Sequence, residues 1–189
     1  MTTTSVMIVG VGGQGSLLAS RLLGRLLVDE GYDVKVSEVH GMSQRGGSVV
    51  TFVRFGEKVY SPVVVEGEAD YIVSFEKLEA ARYVDCLKKT GKIITNSQQT
   101  DPMPVITGAA EYPENILDEL RKEGVDIDEL DALSIAEEAG SQKAVNMVLM
   151  GRLSKYFDFP EEAWIDALKK TVKEKFLDLN VHAFRMGRK

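Results

Sequence analysis

Apolar runs alternate with glycine turns over the first forty residues, and their spacing predicts a β-α-β unit. Residues 6–9 form a short apolar run of the kind found in buried strands. Residues 33–39 alternate valines with charged residues, which is the pattern of a second strand. Leucines recur between them at helical spacing until Gly31 ends the helix: Leu17, Leu18, Leu22, Leu23, Leu26 and Leu27. We therefore expect the two strands to be parallel, with a right-handed crossover.

The next segment departs from this regular alternation. Residues 48–55 have the pattern of a strand, 56–58 that of a turn, and 59–65 that of a strand running back. The pattern predicts a hairpin, which makes the sheet mixed or forms a second, antiparallel sheet.

Short strands and helices alternate again over the rest of the chain. Strands are predicted at 71–74, 92–95, 105–107 and 131–135, and helices at 77–88 and 113–124. Two helices close the chain from about residue 141, and Pro160 begins the second. The predicted fold class is α/β: one domain over residues 1–189, with a Rossmann-like three-layer architecture, a parallel central sheet and a smaller antiparallel sheet or hairpin.

Composition narrows the chemistry that the chain can carry. Its single cysteine, Cys86, cannot form an internal disulfide or supply the four ligands of a cubane iron–sulfur cluster. The two histidines and scattered carboxylates show no metal-ligand spacing, so we expect no metal site. No apolar run approaches the ~20 residues of a membrane span, and residues 1–5 lack the basic region of a signal peptide. We expect a soluble, cytoplasmic protein without membrane contact.

Charge is unevenly distributed in this chain of formal net charge −6. Acidic residues dominate 111–140, and basic residues dominate 169–189. These segments are either solvated helix faces or, for the second, a basic tail that docks on something acidic. The negative overall charge argues against broad nucleic-acid binding.

A glycine-rich motif, Gly10-x-Gly12-x-x-Gly15, lies between the first strand and the first helix. Glycines in this position allow a tight turn, and the helix N-terminus offers free N–H groups to an anion. The motif alone also fits a βα turn without a ligand. Its sequence from Gly12 to Gln14 is unusual for a nicotinamide site.

A second polar, glycine-rich loop follows the second strand at residues 40–47. Arg45 could pair with a phosphate or carboxylate, and neighbouring groups could donate hydrogen bonds beside it. His40 is either an acid–base group or a structural histidine. We expect both loops to leave neighbouring strand ends, where open α/β sheets bind ligands. The candidate binding residues are Gly12, Gly13, Gln14, Gly15, His40, Ser43, Gln44, Arg45 and Gly46.

The two loops together resemble a known family. Gly-Val-Gly-Gly-Gln-Gly followed by Ser-Glu-Val-His-Gly-Met-Ser-Gln-Arg-Gly-Gly resembles the gamma-type subunits of 2-oxoacid:ferredoxin oxidoreductases, most closely the small (beta) subunits of the indolepyruvate enzymes. The resemblance extends over essentially the whole chain. It implies an enzyme complex that oxidatively decarboxylates a 2-oxoacid, here an indolepyruvate or another aryl pyruvate, to acyl-coenzyme A with ferredoxin as the electron acceptor.

The resemblance also implies a division of labour. Thiamine diphosphate, magnesium and 4Fe–4S clusters would belong to a large catalytic partner subunit, because this chain lacks a Gly-Asp-Gly segment with a downstream asparagine and has one cysteine. The gamma-type chain would lie against that partner and help bind coenzyme A. Under this hypothesis, Arg45→Ala raises the apparent KM for coenzyme A in the assembled enzyme.

Two alternatives remain open from the sequence. A free-standing NAD(P)-binding protein would place Glu38, at the end of the second strand, on the cofactor's ribose. A purely structural subunit would use both loops only to dock on its partner.

Overall fold

The computed structural model describes residues 3–40 and 47–189, with His40 described through its backbone alone. The described residues form one six-stranded mixed sheet in the order β2-β3-β1-β4-β5-β6. Strands β1, β4, β5 and β6 are parallel, whereas β3 is antiparallel to both β1 and β2. The strands are β1 (Thr4–Val11), β2 (Asp33–His40), β3 (Ser48–Gly56), β4 (Ala69–Ser74), β5 (Leu87–Asn96) and β6 (Asp126–Leu130).

Helices cover both faces of this sheet. The larger hydrophobic cluster lies between one face and helices α1, α5, α6, α7 and α8, and the smaller cluster lies on the other face. The α-helices of the described chain are α1 (Ser16–Asp29), α2 (Lys77–Arg82), α3 (Met103–Ile106), α4 (Ile116–Lys122), α5 (Ala132–Glu138), α6 (Val145–Leu153), α7 (Glu161–Thr171) and α8 (Leu177–Arg188).

Strand β1 is central because its side chains are apolar on both faces. Val6 and Ile8 belong to the larger cluster, whereas Met7 and Val9 belong to the smaller one, and all four are fully buried. Successive strand side chains point to opposite faces, so a continuous apolar run is what a doubly covered strand requires. The carboxyl end of β1 therefore lies in the middle of the sheet, where the glycine loop follows it.

Helices α6 and α8 cross at a pair of glycines. A Cβ added to Gly187 would lie 2.0 Å from the carbonyl oxygen of Val148, and one added to Gly151 would lie 2.0 Å from that of Phe184. The two backbones thus touch directly, which fixes α6 firmly against the rest of the larger cluster.

The sheet topology confirms a mixed α/β fold and corrects the strand pairing. Strands β1 and β2 run in the same direction, as expected, but β3 lies between them, so their ends are not neighbours. The antiparallel partner of β3 is not the segment 59–65, which forms no strand. That segment instead buries Val59 and Val64 and is part of an irregular connection, residues 57–68.

Several other predicted elements differ from the structure. Residues 105–107 belong to a helical turn rather than a strand, because backbone hydrogen bonds to Pro102 begin α3. The predicted strand at 131–135 is the start of α5, and the last strand, β6, precedes it. The predicted helix at 77–88 ends at Arg82, where a 3-10 turn leads into β5. The chain closes with three α-helices rather than two, since α8 follows α7.

Candidate functional site

The glycine loop between β1 and α1 is a tight turn braced by its own glutamine. The backbone N–H of Val11 donates to Oε1 of Gln14 at 2.7 Å, and the N–H of Gln14 donates to the carbonyl of Val11 at 3.2 Å. Gly13 and Gly15 have φ values of 100° and 88°, a backbone region that favours glycine. The amide oxygen of Gln14 is therefore used inside the loop, and the turn is preformed.

The braced turn presents free donors at the start of α1. The backbone N–H groups of Gly13, Gly15, Ser16 and Leu17 have no hydrogen-bond acceptor among the described residues. The first turn of α1 contains no acidic side chain that would compete for them. Unpaired N–H groups at a helix N-terminus attract anions through both hydrogen bonding and the helix dipole.

Gly13 and Gly15, two of these donors, line a cleft of about 570 Å³ at the carboxyl edge of the sheet, which we call the glycine-loop cleft. Three helices begin at its wall: α1, α5 and α6. Lys143 is the only cationic side chain among its described lining residues, which include no carboxylate. Those residues are Val11, Gly12, Gly13, Gln14, Gly15, Gln98, Thr100, Leu133, Gln142, Lys143 and Val145.

Asn146 joins the glycine loop to α6. This side chain is 3% exposed, and its Nδ2 donates to the carbonyl oxygen of Gly15 at 3.3 Å. A Cβ on Gly15 would lie 2.7 Å from the same nitrogen, so glycine is needed for the close approach. The contact joins the glycine loop to α6, and Lys143, three residues before Asn146, lines the same cleft.

A buried carboxylate lies behind the other wall of the cleft. Glu76 is 1% exposed and accepts hydrogen bonds from the N–H groups of Glu79, at 3.0 Å, and Thr100, at 3.2 Å. The hydroxyl of Tyr112 donates to the same carboxylate. Burial and then this contact with Glu76 raise the pKa of Tyr112 above its ordinary value. Glu76 thus fixes the position of Thr100, which lines the cleft.

The structure places the first of the two predicted loops at the cleft. Gly12, Gly13, Gln14 and Gly15 all line the cleft. Ser43, Gln44, Arg45 and Gly46 lie outside the described residues, as does the side chain of His40. The end of the second loop does return to the first, because the N–H of Gly12 donates to the carbonyl of Gly47 at 2.9 Å.

The geometry that the NAD(P)-binding alternative requires is not formed. Glu38 lies on β2, which is separated from β1 by β3, and it is not one of the described residues that line the cleft. A dinucleotide fingerprint places the acidic residue on the parallel strand next to the glycine loop. The inserted antiparallel strand removes that arrangement.

Four polar residues that line the cleft were not predicted from the sequence: Gln98, Thr100, Gln142 and Lys143. Gln98 and Thr100 follow the carboxyl end of β5, where polar residues of a parallel sheet often bind ligands. Lys143 lies in a 3-10 turn directly before α6. A correct assignment of β6 and α5 would have shown that this lysine returns to the same edge.

No group of three or more His, Cys, Asp or Glu side chains suited to a metal ion occurs within residues 3–40 and 47–189. Over the same ranges, no helix combines the length and apolarity needed to cross a membrane.

Comparison with known proteins identifies the family. Residues 5–189 match the sequence profile described as pyruvate ferredoxin/flavodoxin oxidoreductase. Indolepyruvate oxidoreductase subunit IorB of Thermococcus kodakarensis is 45% identical over 194 residues, covering 99% of this chain and 95% of that protein.

Solved structures share the fold at lower identity. Pyruvate oxidoreductase subunit PORC of Thermotoga maritima has a TM-score of 0.76 at 22% identity, covering 99% of this chain and 96% of that one. A 2-oxoglutarate:ferredoxin oxidoreductase from Magnetococcus marinus, solved with 2-oxoglutarate, coenzyme A and succinyl-CoA bound, has a TM-score of 0.76 at 21% identity and matches all of this chain with 31% of its own. The solved structures confirm the predicted fold class, and the profile match and the 45% identical relative confirm the predicted family. The chain belongs to the pyruvate ferredoxin/flavodoxin oxidoreductase family.

Proposed function

We propose that this chain is the small subunit of a 2-oxoacid:ferredoxin oxidoreductase acting on indolepyruvate or another aryl pyruvate, and that its glycine-loop cleft binds a phosphate group of coenzyme A. The relative at 45% identity is named as an indolepyruvate oxidoreductase subunit and matches nearly the full length of both chains. The observation that carries the binding role is the cleft itself, which combines free backbone donors with one lysine and no lining carboxylate among the described residues.

The cleft fits part of coenzyme A in size and in charge. Its volume of about 570 Å³ falls in the range of small-molecule sites, roughly 300–1,000 Å³. Phosphate oxygens accept hydrogen bonds from backbone N–H groups at helix N-termini, and a lysine adds a point charge without demanding a fixed geometry. The local donors and the lysine favour an anion in this cleft even though the chain as a whole carries a formal net charge of −6.

The chain's own residues bind and orient the co-substrate and leave the redox chemistry to the partner. One cysteine cannot ligate a 4Fe–4S cluster, which takes four thiolates. We assign thiamine diphosphate, magnesium and the clusters to a larger catalytic subunit, with ferredoxin as the acceptor of the complex. Thiamine diphosphate supplies carbanion stabilisation during decarboxylation when bound there. The gamma-type chain holds the phosphate end of coenzyme A so that the thiol can reach that subunit.

Lys143→Gln tests the binding role in the assembled enzyme. We expect the KM for coenzyme A to rise roughly tenfold, the loss of one exposed lysine–phosphate contact, while the KM for the 2-oxoacid stays unchanged. Lys58→Gln is the matched control, because Lys58 is an exposed lysine on the 57–68 connection, away from the cleft.

A KM for coenzyme A that is unchanged by Lys143→Gln would remove the phosphate site from the cleft, and a rise with Lys58→Gln would show that the effect is general. The polar loop stays a prediction, and Arg45→Ala in the same assay tests it. If Arg45→Ala weakens assembly but leaves the KM for coenzyme A intact, that loop docks on the partner instead.

A further inference from the structure

An exposed apolar segment follows Thr100, a residue that lines the glycine-loop cleft. Residues 102–110, which we call the apolar knob, contain no charged side chain. Met103 is 62% exposed and Ile106 is 65% exposed. Neither of them, nor Val105, belongs to the two hydrophobic clusters of the described chain. Exposed apolar surface of this kind marks interaction sites in soluble proteins.

The knob is held in shape by its own backbone. The N–H of Ile106 donates to the carbonyl of Pro102 at 3.1 Å, and the N–H of Thr107 donates to that of Met103 at 2.9 Å. The N–H groups of Ala109 and Ala110 both donate to the carbonyl of Pro104, at 2.8 and 3.0 Å. These bonds fold the segment into a compact turn.

The buried carboxylate of Glu76 fastens the base of the knob at both ends. It accepts the N–H of Thr100, just before the knob, and the hydroxyl of Tyr112, just after it. Burying a carboxylate costs free energy unless several hydrogen-bond donors satisfy it. A buried carboxylate thus holds an exposed apolar segment in a fixed shape. A rigid surface loses less conformational entropy on docking than a flexible one.

We propose that the apolar knob docks into an apolar socket on the larger catalytic subunit. This inference rests on the proposed function, because coenzyme A bound in the cleft must reach an active site on that subunit. Thr100 forms part of the cleft wall and of the knob's base, so a partner that closes over the cleft meets the knob.

The charges beside the knob favour a different protein over a second copy of this chain. Asp101 and Glu111 flank the knob on either side. A symmetric contact between two copies would bring these carboxylates together, within a chain whose formal net charge is −6. A socket rimmed with basic side chains would instead complement them.

Ile106→Glu tests the docking in the co-produced, anaerobically purified complex. We expect the dissociation constant of the two subunits to rise about 100-fold or more, since a buried isoleucine is lost and a carboxylate faces an apolar socket. Ile106→Leu should retain assembly. Val65→Glu is the matched control: Val65 is 56% exposed on the 57–68 connection, and its substitution should change the constant less than about threefold.

The outcomes separate this inference from the proposed function. If the wild-type chain binds the larger subunit and Ile106→Glu behaves like Val65→Glu, the docking role of the knob is wrong and the proposed function stands. If the wild-type chain does not bind the larger subunit, the proposed function fails and takes this inference with it. A wild-type chain that self-associates through Ile106 would also overturn the inference, because the occupant is then a second copy.

Discussion

Removal of the Tyr112 hydroxyl tests the buried anchor behind the cleft. Tyr112→Phe deletes one of the three donors to the Glu76 carboxylate among the described residues and leaves the ring in place. A hydrogen bond to a charged group contributes about 1.5–3 kcal/mol to stability. Because Tyr112 is half-buried and two backbone donors remain, we expect the lower end, about 1.5 kcal/mol.

Thermal unfolding of the isolated chain measures this loss. For a domain of this size, 1 kcal/mol corresponds to about 2–4 °C in Tm, so Tyr112→Phe should lower Tm by roughly 3–6 °C. Tyr60→Phe is the control, because Tyr60 is 89% exposed and its hydroxyl has no hydrogen bond among the described residues. Equal Tm values for the two variants would refute the anchoring role of Glu76.

The pH dependence of stability gives a second readout of the same contact. The pKa of Tyr112 is raised in the folded protein, chiefly by burial and then by Glu76, so the folded state holds the phenolic proton more tightly than the unfolded chain does. The contribution of this group is fully present below the ordinary tyrosine pKa of about 10 and is lost as the pH rises above it. Tyr112→Phe should reduce the decline of Tm above about pH 10.

Two further predictions concern the core and the thiol. Gly187→Ala places a methyl group 2.0 Å from the Val148 carbonyl oxygen and forces α6 away from α8, so it should lower the unfolding free energy by about 1–3 kcal/mol or more. Gly24→Ala is the control and should not destabilise the protein, because its Cβ meets only Val36 at 3.7 Å. Equal losses in the two variants would contradict the close packing of α6 and α8. Burial, followed by two nearby carboxylates, raises the pKa of the Cys86 thiol. At about pH 8 its reaction with a disulfide reagent should be several-fold slower in the native chain than in denaturant, and an equal or faster native rate would show an activated thiol.

The central strand and first helix were predictable because their patterns are unambiguous. Strand β1 is apolar on both faces, and the leucines of α1 follow a single helical stripe. The glycine loop between them could likewise be placed on sequence alone, since Gly13 and Gly15 adopt the backbone region that favours glycine.

The edge of the sheet was less predictable because its strand is polar. Strand β6 (Asp126–Leu130) carries three acidic residues, of which Asp128 pairs with Arg152 at 2.8 Å, so it lacks the apolar run of a buried strand. The following segment looked like a strand, but Asp131 caps α5 by accepting the N–H of Ser134 at 3.0 Å. Because β6 was not predicted, the segment after it was assigned wrongly, and Lys143 was not placed at the carboxyl edge of the sheet.

Tertiary pairing decided the remaining differences. Residues 59–65 are rich in β-branched side chains, yet β2 and β1 already flank β3 on both sides. The basic C-terminal segment also finds partners inside the molecule: Lys170 pairs with Asp29 at 2.9 Å and Arg185 with Glu161 at 2.7 Å. These contacts favour the interpretation of solvated, internally paired helices over a tail that docks on an acidic partner.

Reconstitution of the enzyme from separate chains tests the central claim most directly. The larger subunit and this chain are purified anaerobically, and the coenzyme A-dependent reduction of ferredoxin by an aryl pyruvate is measured for each alone and for the mixture. We expect that neither chain is active alone and that mixing restores turnover with saturable dependence on coenzyme A. Full coenzyme A-dependent activity of the larger subunit without this chain would contradict it.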